Sequence, residues 1–505
     1  MQTIEPKHNL IHLRDISFET KPGVFLFKNI ALSLSKQKTG FVGKNGIGKT
    51  TLVRIITGEI VPFSGTVNNH ARIAYLPQDY QLDLALSVRQ TLQTSEEHTT
   101  LAALARVGLT HIKPGRLMGS LSGGERTRVA LASLLIKDVN LMILDEPTNN
   151  LDYEARQAVY HLIQHWKGGL LVISHDRTLL GLMDSILELS DKGLKTYGGN
   201  YEMYMTQKRL EQEALLRQFS DAGREVKKIK RQAQATAERQ QKRSSHGKKV
   251  APDLGLPKAV LNEMRKHAQE TSGKLKKIHE VRMNKASDKL KAARERISPD
   301  NMIDVDLSQT KIPNSKLVTE FKDVDFAYDQ PVLNQFNLSL YGPERLAING
   351  PNGSGKTTLI KLMLGKLQPS SGKIILGIER TAYLDQNVAV LDKAKTILEN
   401  LQDLSNFDEK TARNWLALFL FPAEDVFKNV EILSGGERMR AALACILAGD
   451  TPPKLLILDE PTNNLDLNSI EQIESALLNF EGTLIVISHD KNFLKNIRIE
   501  REISL

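Results

Sequence analysis

The pattern Gly43-x-x-x-x-Gly48-Lys49-Thr50 places two glycines, a lysine and a hydroxyl where phosphate can be gripped. Glycines let backbone N–H groups turn inward around phosphate oxygens. The lysine can reach the outer phosphates of a nucleoside triphosphate, and the threonine hydroxyl can ligate Mg²⁺. Gly43, Asn45, Gly46, Gly48, Lys49, Thr50 and Thr51 are therefore expected to contact ATP. Further on, the apolar run 141–144 ends at Asp145 and Glu146. An aspartate at the end of a buried strand can hold Mg²⁺, and a glutamate beside it can position and polarise an attacking water. His175 follows another apolar run and Ser174; a lone histidine there is more often structural, but its recurrence in the second copy raises it to an expected γ-phosphate sensor, and Gln78 could reach the metal or the water.

All of this occurs twice. GPNGSGKTTL at 350–359 repeats GKNGIGKTTL at 43–52, and LDEPTNNLD stands at both 144–152 and 458–466. AYLPQ and AYLDQ, LSGGER twice, and LVISHD and IVISHD follow in the same order. The second ATP set is Gly350, Asn352, Gly353, Gly355, Lys356, Thr357 and Thr358. The second Mg²⁺ set is Thr357, Asp459 and Gln386, and the second catalytic set is Glu460, His489 and Gln386. The chain is a tandem duplication of one ATPase module of roughly 200 residues.

The elements that must carry these residues read as α/β. Runs 141–144, 170–173, 455–458 and 484–487 have the continuous apolar character of buried parallel strands, and helical spacing follows each glycine loop. LSGGER adds a second anion grip per module: Ser122, Gly123 and Gly124, and Ser434, Gly435 and Gly436, stand where a helix begins. Each module already has a loop for its own nucleotide. The extra grip makes sense if it serves the other module's ATP, with the two modules head to tail.

That constellation resembles the ATP-binding-cassette superfamily across both modules. The resemblance implies two composite ATP sites within one chain, with Asn149–Asp152 and 463–466 lining the seam. Tyr328 suits an adenine-stacking residue for the second module. The first has Thr20 there, with Phe18 and Phe25 as substitutes and no assignment between them.

The 505 residues carry a net charge of +9, with 41% hydrophobic and 25% charged residues, ordinary for a folded protein. Residues 205–300 hold 25 lysines and arginines against 12 acids, a balance of +13, so the remainder carries −4. The basic character belongs to the segment between the modules. Leu215, Phe219, Ala222, Val226, Ile229 and Ala233 recur at coiled-coil spacing, and Leu290, Ala293 and Ile297 repeat it on a returning helix. The stretch 243–257, rich in Ser, Gly and Pro, is expected to be the turn, at the end of about 60 Å of helix. Cations at that tip, Arg243, Lys248 and Lys249, are the expected RNA contacts. The segment has few aromatics, which favours backbone and shape recognition over base stacking.

A basic helical linker between two cassettes resembles the ABC-F subfamily of translation-associated ATPases. Expected domains are 1–198 (first cassette), 199–313 (linker) and 314–505 (second cassette). The resemblance implies a cytoplasmic monomer that binds the ribosome at the tRNA exit site and acts on peptidyl-tRNA and the peptidyl-transferase centre. Protection of the ribosome from antibiotics is one form of that role. Only 44 positions separate Gln78 from Ser122, so the extra arm of some members has no room. Two other readings stay open here: the ATPase subunit of a membrane transporter and a nucleic-acid-repair ATPase. No apolar run is long enough to span a membrane, no secretory leader is visible, and the single cysteine, Cys445, excludes a disulfide scaffold and fits a reducing compartment.

Overall fold

A computed structural model describes residues 10–149, 151–250, 258–296, 302–351, 353–449 and 451–505. Asn352 lies outside them, as do the side chains of Arg243, Lys248 and Lys249 and the seam residue Ile297. Two compact units are distinguished, Met1–Tyr204 with Asn301–Leu505, and Met205–Asp300.

The first unit holds both cassettes. In the first, strands Ile73–Leu76, Leu141–Asp145, Gly169–Ile173, Lys38–Gly43, Ser185–Ser190 and Gly193–Gly198 lie side by side in that order, parallel except for the last. LMILD and GLLVI are buried at every residue, as strands covered on both faces require. The second cassette repeats the order with Thr381–Leu384, Leu455–Asp459, Thr483–Ile487, Arg345–Asn349 and Arg501–Ser504, all parallel. Each cassette adds a three-stranded antiparallel sheet, with Ile11–Lys21 central in one and Leu317–Ala327 in the other. Helix Lys49–Ile56 buries Leu52, Val53, Ile55 and Ile56, which anchors the glycine loop ahead of it to the core.

Helices Gly123–Ile136 and Gly435–Leu447 begin at Ser122 and Ser434. Each serine oxygen accepts from the N–H three residues on, and Glu125 or Glu437 accepts from the serine N–H in return. This capping box satisfies two end donors and fixes where the helix starts.

The cassettes meet within this unit. Arg177 donates to both carboxylate oxygens of Glu474, at 2.6 and 3.3 Å, with both side chains under 10% exposed. Asn496 donates to the same carboxylate at 3.1 Å. Lys491 sits 4.6 Å above the Tyr153 ring.

The second unit is built on a pair of long helices, Tyr201–Val250, which is part of it from Met205 on, and Lys258–Arg296. Glu225 pairs with Lys289 at 3.7 Å, and Leu290 lies beside Gly223, so the helices run antiparallel. The expected seam residues from Leu215 to Ala233, and Leu290 and Ala293, are half-buried, as are Gly223, Thr236 and Met283, and Ala286 is buried. The turn expected over 243–257 is corrected: helix continues to Val250, and 251–257 fall outside the described residues. A single glycine, Gly247, costs about 1 kcal/mol and does not stop a helix of this length; the first proline is Pro252. At 50 residues the outgoing helix is roughly 75 Å long.

Removing one partner of the Arg177–Glu474 pair strands the other charge in a dry seam, at a cost of about 3–5 kcal/mol. R177M and E474Q should each lower the melting temperature more than the double variant does. Additive losses in a double-mutant cycle followed by calorimetry would show that the pair is not coupled.

Candidate functional site

The carboxyl ends of the parallel strands deliver the chemistry of each cassette to one edge. Strand Lys38–Gly43 runs into the glycine loop, and Gly48 precedes the helix with φ 104°, a left-handed conformation that glycine adopts freely. A Cβ there would also stand 2.7 Å from the Leu26 side chain. Lys49 donates to the carbonyls of Gly43 at 2.6 Å and Lys44 at 3.1 Å, and lies 3.4 Å from His175 Nε2. Thr50 donates to Asp145 at 2.8 Å.

Glu146 follows Asp145 with φ 51°, and its N–H donates to the Ile173 carbonyl. A non-glycine residue in this region is uncommon. The bend turns the glutamate off the strand line, and its Oε1 lies 3.4 Å from His175 Nε2. Asn45, Gly46, Gly48, Lys49, Thr50, Thr51, Gln78, Asp145, Glu146 and His175 all line one cleft of about 340 Å³. Asn464 of the second cassette lines it too.

The second site repeats the frame. Lys356 donates to the Gly350 and Pro351 carbonyls at 2.8 and 2.9 Å, and Gly355 has φ 98°. Glu460 has φ 49° and stands 3.4 Å from His489 Nε2. Gly353 is in the left-handed region, Thr357 and Thr358 open the helix behind Lys356, and Gln386 lies just past strand Thr381–Leu384. One contact differs: Asp459 accepts from the Tyr383 hydroxyl at 3.1 Å, whereas in the first site Asp145 accepts from Thr50 and the Tyr75 hydroxyl is buried without a partner.

The sites are wired across the seam. The Asn45 N–H donates to Asp466 at 3.0 Å and its side-chain amide to the Asn464 carbonyl at 3.0 Å. Gly435 lies against Leu465 and the same Asn464 carbonyl, which puts the Ser434–Gly436 helix start next to the lysine 49 cleft. Within the first cassette, Gly124 packs on Leu151 and Ala155. The neighbouring charges of Asp152 and Arg156 act on the other site, Asp152 on Lys356 and His489, Arg156 on Glu460 and His489.

Burial sets the electrostatics. It lowers Lys49 and Lys356 and raises Asp145 and Asp459. Burial pushes Glu146 up to about 8 and Glu460 to about 7. Burial, with the lysine charge in support, takes His175 down to about 3 and His489 to about 4. Near neutral pH both histidines are thus neutral and Glu146 holds its proton. Glu146 Oε1, His175 Nδ1, Glu460 Oε2 and His489 Nε2 are buried with no hydrogen-bond partner. Such atoms are costly unless a ligand or water completes them. The Thr50 hydroxyl and Asp145 carboxylate offer the oxygen donors a hard cation takes. Among the described residues no group of three His, Cys, Asp or Glu could hold a metal alone, so Mg²⁺ there would also need phosphate oxygens.

Tyr328 is 58% exposed and edge-on to Phe326. In the first cassette the Thr20 hydroxyl donates to the Val24 carbonyl, closing the strand turn. Phe18 packs on Phe27, and Phe25 meets Phe63 edge-on. Sequence reasoning missed Arg177, Glu474, Tyr383 and Arg156. The one signal available was that Arg177 follows the repeated SHD directly, where the second copy has Lys491.

Unfolded glutamate ionises near 4.5, so between there and about 8 the unfolded chain releases protons that folded Glu146 retains. Each buried carboxyl therefore removes stability as pH rises through that window. The histidines act oppositely, adding stability as pH rises from about 3 or 4 to 6.5. E146Q with E460Q should raise the melting temperature of nucleotide-free protein at about pH 8 and leave it within about a degree at about pH 5. An equal shift at both would show that the carboxyls are not held neutral.

The family described as ABC transporter matches residues 27–149 and 333–463. The chain is 31% identical over 518 residues to the ATP-binding protein Uup of Haemophilus influenzae, covering 91% of this chain and 73% of that protein. It is 30% identical over 543 residues to ABC transporter F family member 5 of Arabidopsis thaliana, covering 96% and 71%. To the ribosome protection protein VmlR of Bacillus subtilis it is 30% identical over 492 residues, covering 96% and 85%. Among solved structures the fold is similar to RNase-L Inhibitor, with a TM-score of 0.59 at 20% identity over 97% of this chain and 87% of that one. Among the described residues no helix is long and apolar enough to cross a membrane. Kinship that runs through both cassettes and the segment joining them, rather than through one cassette alone, places this chain in the ABC-F subfamily of ATP-binding-cassette ATPases.

Proposed function

We propose that this chain is an ATP-driven translation factor. It binds the ribosome at the tRNA exit site and reaches peptidyl-tRNA and the peptidyl-transferase region through its helical linker. The observation that carries the reading is the +13 balance of residues 205–300, concentrated on one helical pair between two ATPase modules. A pair of helices held together only by a half-buried seam needs no such charge, whereas a polyanion is bound through it by counterion release. Kinship with VmlR, named a ribosome protection protein, and fold likeness to a chain in a structure titled as ribosome-bound archaeal Pelota and ABCE1, support the same partner. Shielding the ribosome from an antibiotic is the form of the role that VmlR's name favours. Arg243, Lys248 and Lys249 are the RNA contacts in this reading, and the functional parts are 1–198, 199–313 and 314–505.

Lys49 and Lys356 leave the loop carbonyls for phosphate oxygens, and the loop N–H groups complete the cradle. Thr50, Asp145 and Gln78 would hold Mg²⁺ at the first site, and Thr357, Asp459 and Gln386 at the second. Bound Mg²⁺ supplies positive charge that offsets the phosphates and favours the ionised carboxylates. Glu146 and Glu460 orient the attacking water, and neutral His175 and His489 contact the terminal phosphate. Ser122–Gly124 and Ser434–Gly436 close on the nucleotide of the opposite cassette. Tyr328 stacks on adenine at the second site.

E146Q with E460Q should bind ATP and lose turnover by about 10²–10⁴-fold. With ATP this variant should sediment with ribosomes. Adding R243A, K248A and K249A should flatten the salt dependence of that binding by roughly two log units per log salt. Sedimentation with membranes instead would favour a transporter subunit, and ATPase activity stimulated by DNA would favour a repair role.

Ser434→Arg should impair nucleotide trapping at the Lys49 site and spare the Lys356 site, because the Gly435 helix start adjoins Asn464 in the first cleft. Trapping measured separately in K49A and K356A backgrounds reads this out. A loss confined to the Lys356 site would overturn the wiring.

A further inference from the structure

The first cassette carries a second cleft, of about 600 Å³, at the opposite edge of its main sheet. Lys36, Asn140 and Gly168 line it, each just ahead of a strand whose far end serves the ATP site. A five-residue strand separates the two edges by roughly 16 Å. Leu135, Val139 and Leu162 give the cleft apolar walls. The Trp166 indole lies in it, its N–H donating to the Gly169 carbonyl at 3.0 Å. A Cβ on Gly168 would stand 2.9 Å from that ring, so the glycine is what lets the indole lie against the backbone. His161 and His165 lie with ring centroids 4.2 Å apart and planes tilted by 37°. Lys36, Arg106 and Lys167 stand exposed around them, and no lining residue is acidic. Asp138, next to the lining Val139, is paired with Arg72 at 3.1 Å.

The duplication supplies an internal comparison. At the offset of 314 shared by the two repeats that flank this stretch, 144–152 with 458–466 and 171–176 with 485–490, His161, His165, Trp166 and Lys167 correspond to Ser475, Asn479, Phe480 and Glu481. There the surface is closed. Phe480 is 1% exposed, the Ile303 N–H donates to Ser475, Asn479 donates to the Ile303 carbonyl, and the Glu481 N–H donates to Thr310. One copy of the scaffold thus covers this surface with its own chain and carries an acid at its edge. In the other, no residue among those described covers it, and those positions carry two imidazoles, an indole and a lysine.

We propose that the open cleft of the first cassette binds an unpaired RNA nucleotide, with the base against Trp166 and the histidine pair and the phosphate met by Lys36, Arg106 and Lys167. Flat rings in a slot favour a flat heterocycle, and cations without a carboxylate favour an anion. A nucleotide joins the two. The site deepens the ribosomal reading by adding an RNA contact outside the linker, yet it can be tested without ribosomes.

The chain has two tryptophans, Trp166 and Trp415, so W415F leaves Trp166 as the only indole reporter. In that variant, with E146Q and E460Q and saturating ATP to fill the nucleotide sites, a ten-residue oligouridylate should quench the fluorescence. K36A, R106A and K167A together should weaken that binding by about tenfold or more and reduce its salt slope by roughly two, at about 0.7 per contact. In an otherwise unmutated chain the same three changes should leave ATP hydrolysis unaltered, which also shows that the cassette is folded. Uridine monophosphate binding much more weakly than the oligomer supports RNA as the source. Equal affinity would show a free-nucleotide site and overturn the RNA assignment. Absence of quenching, quenching indifferent to the triple variant, or a large gain of affinity on deleting residues 1–9 would overturn the proposal, the last by showing that the chain's own start fills the cleft. Oligouridylate binding without ribosome sedimentation would leave the cleft standing and the ribosomal reading fallen.

Discussion

Lys49 and Glu146 are taken out of water in one cleft, and a cation and a carboxyl buried together leave the surrounding chain few arrangements. The lysine is held by two loop carbonyls, and the glutamate keeps its proton on a backbone bent to φ 51°. Their separation from solvent depends on strands buried on both faces, whose carboxyl ends must finish at one level. The Leu141–Asp145 and Gly169–Ile173 pairing sets that level, register by register, to the Glu146 N–H on the Ile173 carbonyl. Loss of that register would move Asp145, Glu146 and His175 together. The same desolvation that burdens the resting fold is what makes electrostatic contacts to phosphate strong once they form.

The second dependence is between cassettes. Asp466 is buried, which alone would raise it, yet N–H donors from Asn45 and Ser469 hold it below the usual carboxylate range. It caps its own helix and grips the opposite phosphate loop at once. The Arg177–Glu474 pair stands two residues beyond His175, so a shift of His175 beside Glu146 and a shift of the seam are mechanically close. The two sites are not copies in detail. Asp145 is held by Thr50, whereas Asp459 is held by Tyr383. Duplication supplied two equivalent frames, and different side-chain partners within each cassette made the two sites unequal.

The second cleft shows the same divergence on a larger scale. A groove at the strand-start edge of an α/β sheet must be covered or solvated. The second cassette covers it with Ile303, Val305 and Leu307, which join its core. Among the described residues of the first, Trp166 and two histidines line it, side chains that carry both an apolar face and a polar edge and so tolerate water.

What the sequence determined by itself is what repeats or is local. Gly-x-x-x-x-Gly-Lys-Thr dictates its loop because only glycine turns there without strain, and apolar runs of four or five residues dictate buried strands. SGGE dictates a helix start through its own capping box, and the 4, 3 spacing from Leu215 to Ala233 dictates the helical seam. The turn expected from Arg243 falls short because Ser and a single Gly are weak helix breakers, and the helix runs through them to Val250. Tertiary structure alone decided the pairs without local signature. Arg177 and Glu474 lie 297 positions apart and Asn45 and Asp466 lie 421 apart, and no spacing rule joins residues whose meeting depends on how two sheets dock. It also decided that His161, Trp166 and Lys36 share one cleft, because three strands begin at one edge only once the parallel sheet has formed.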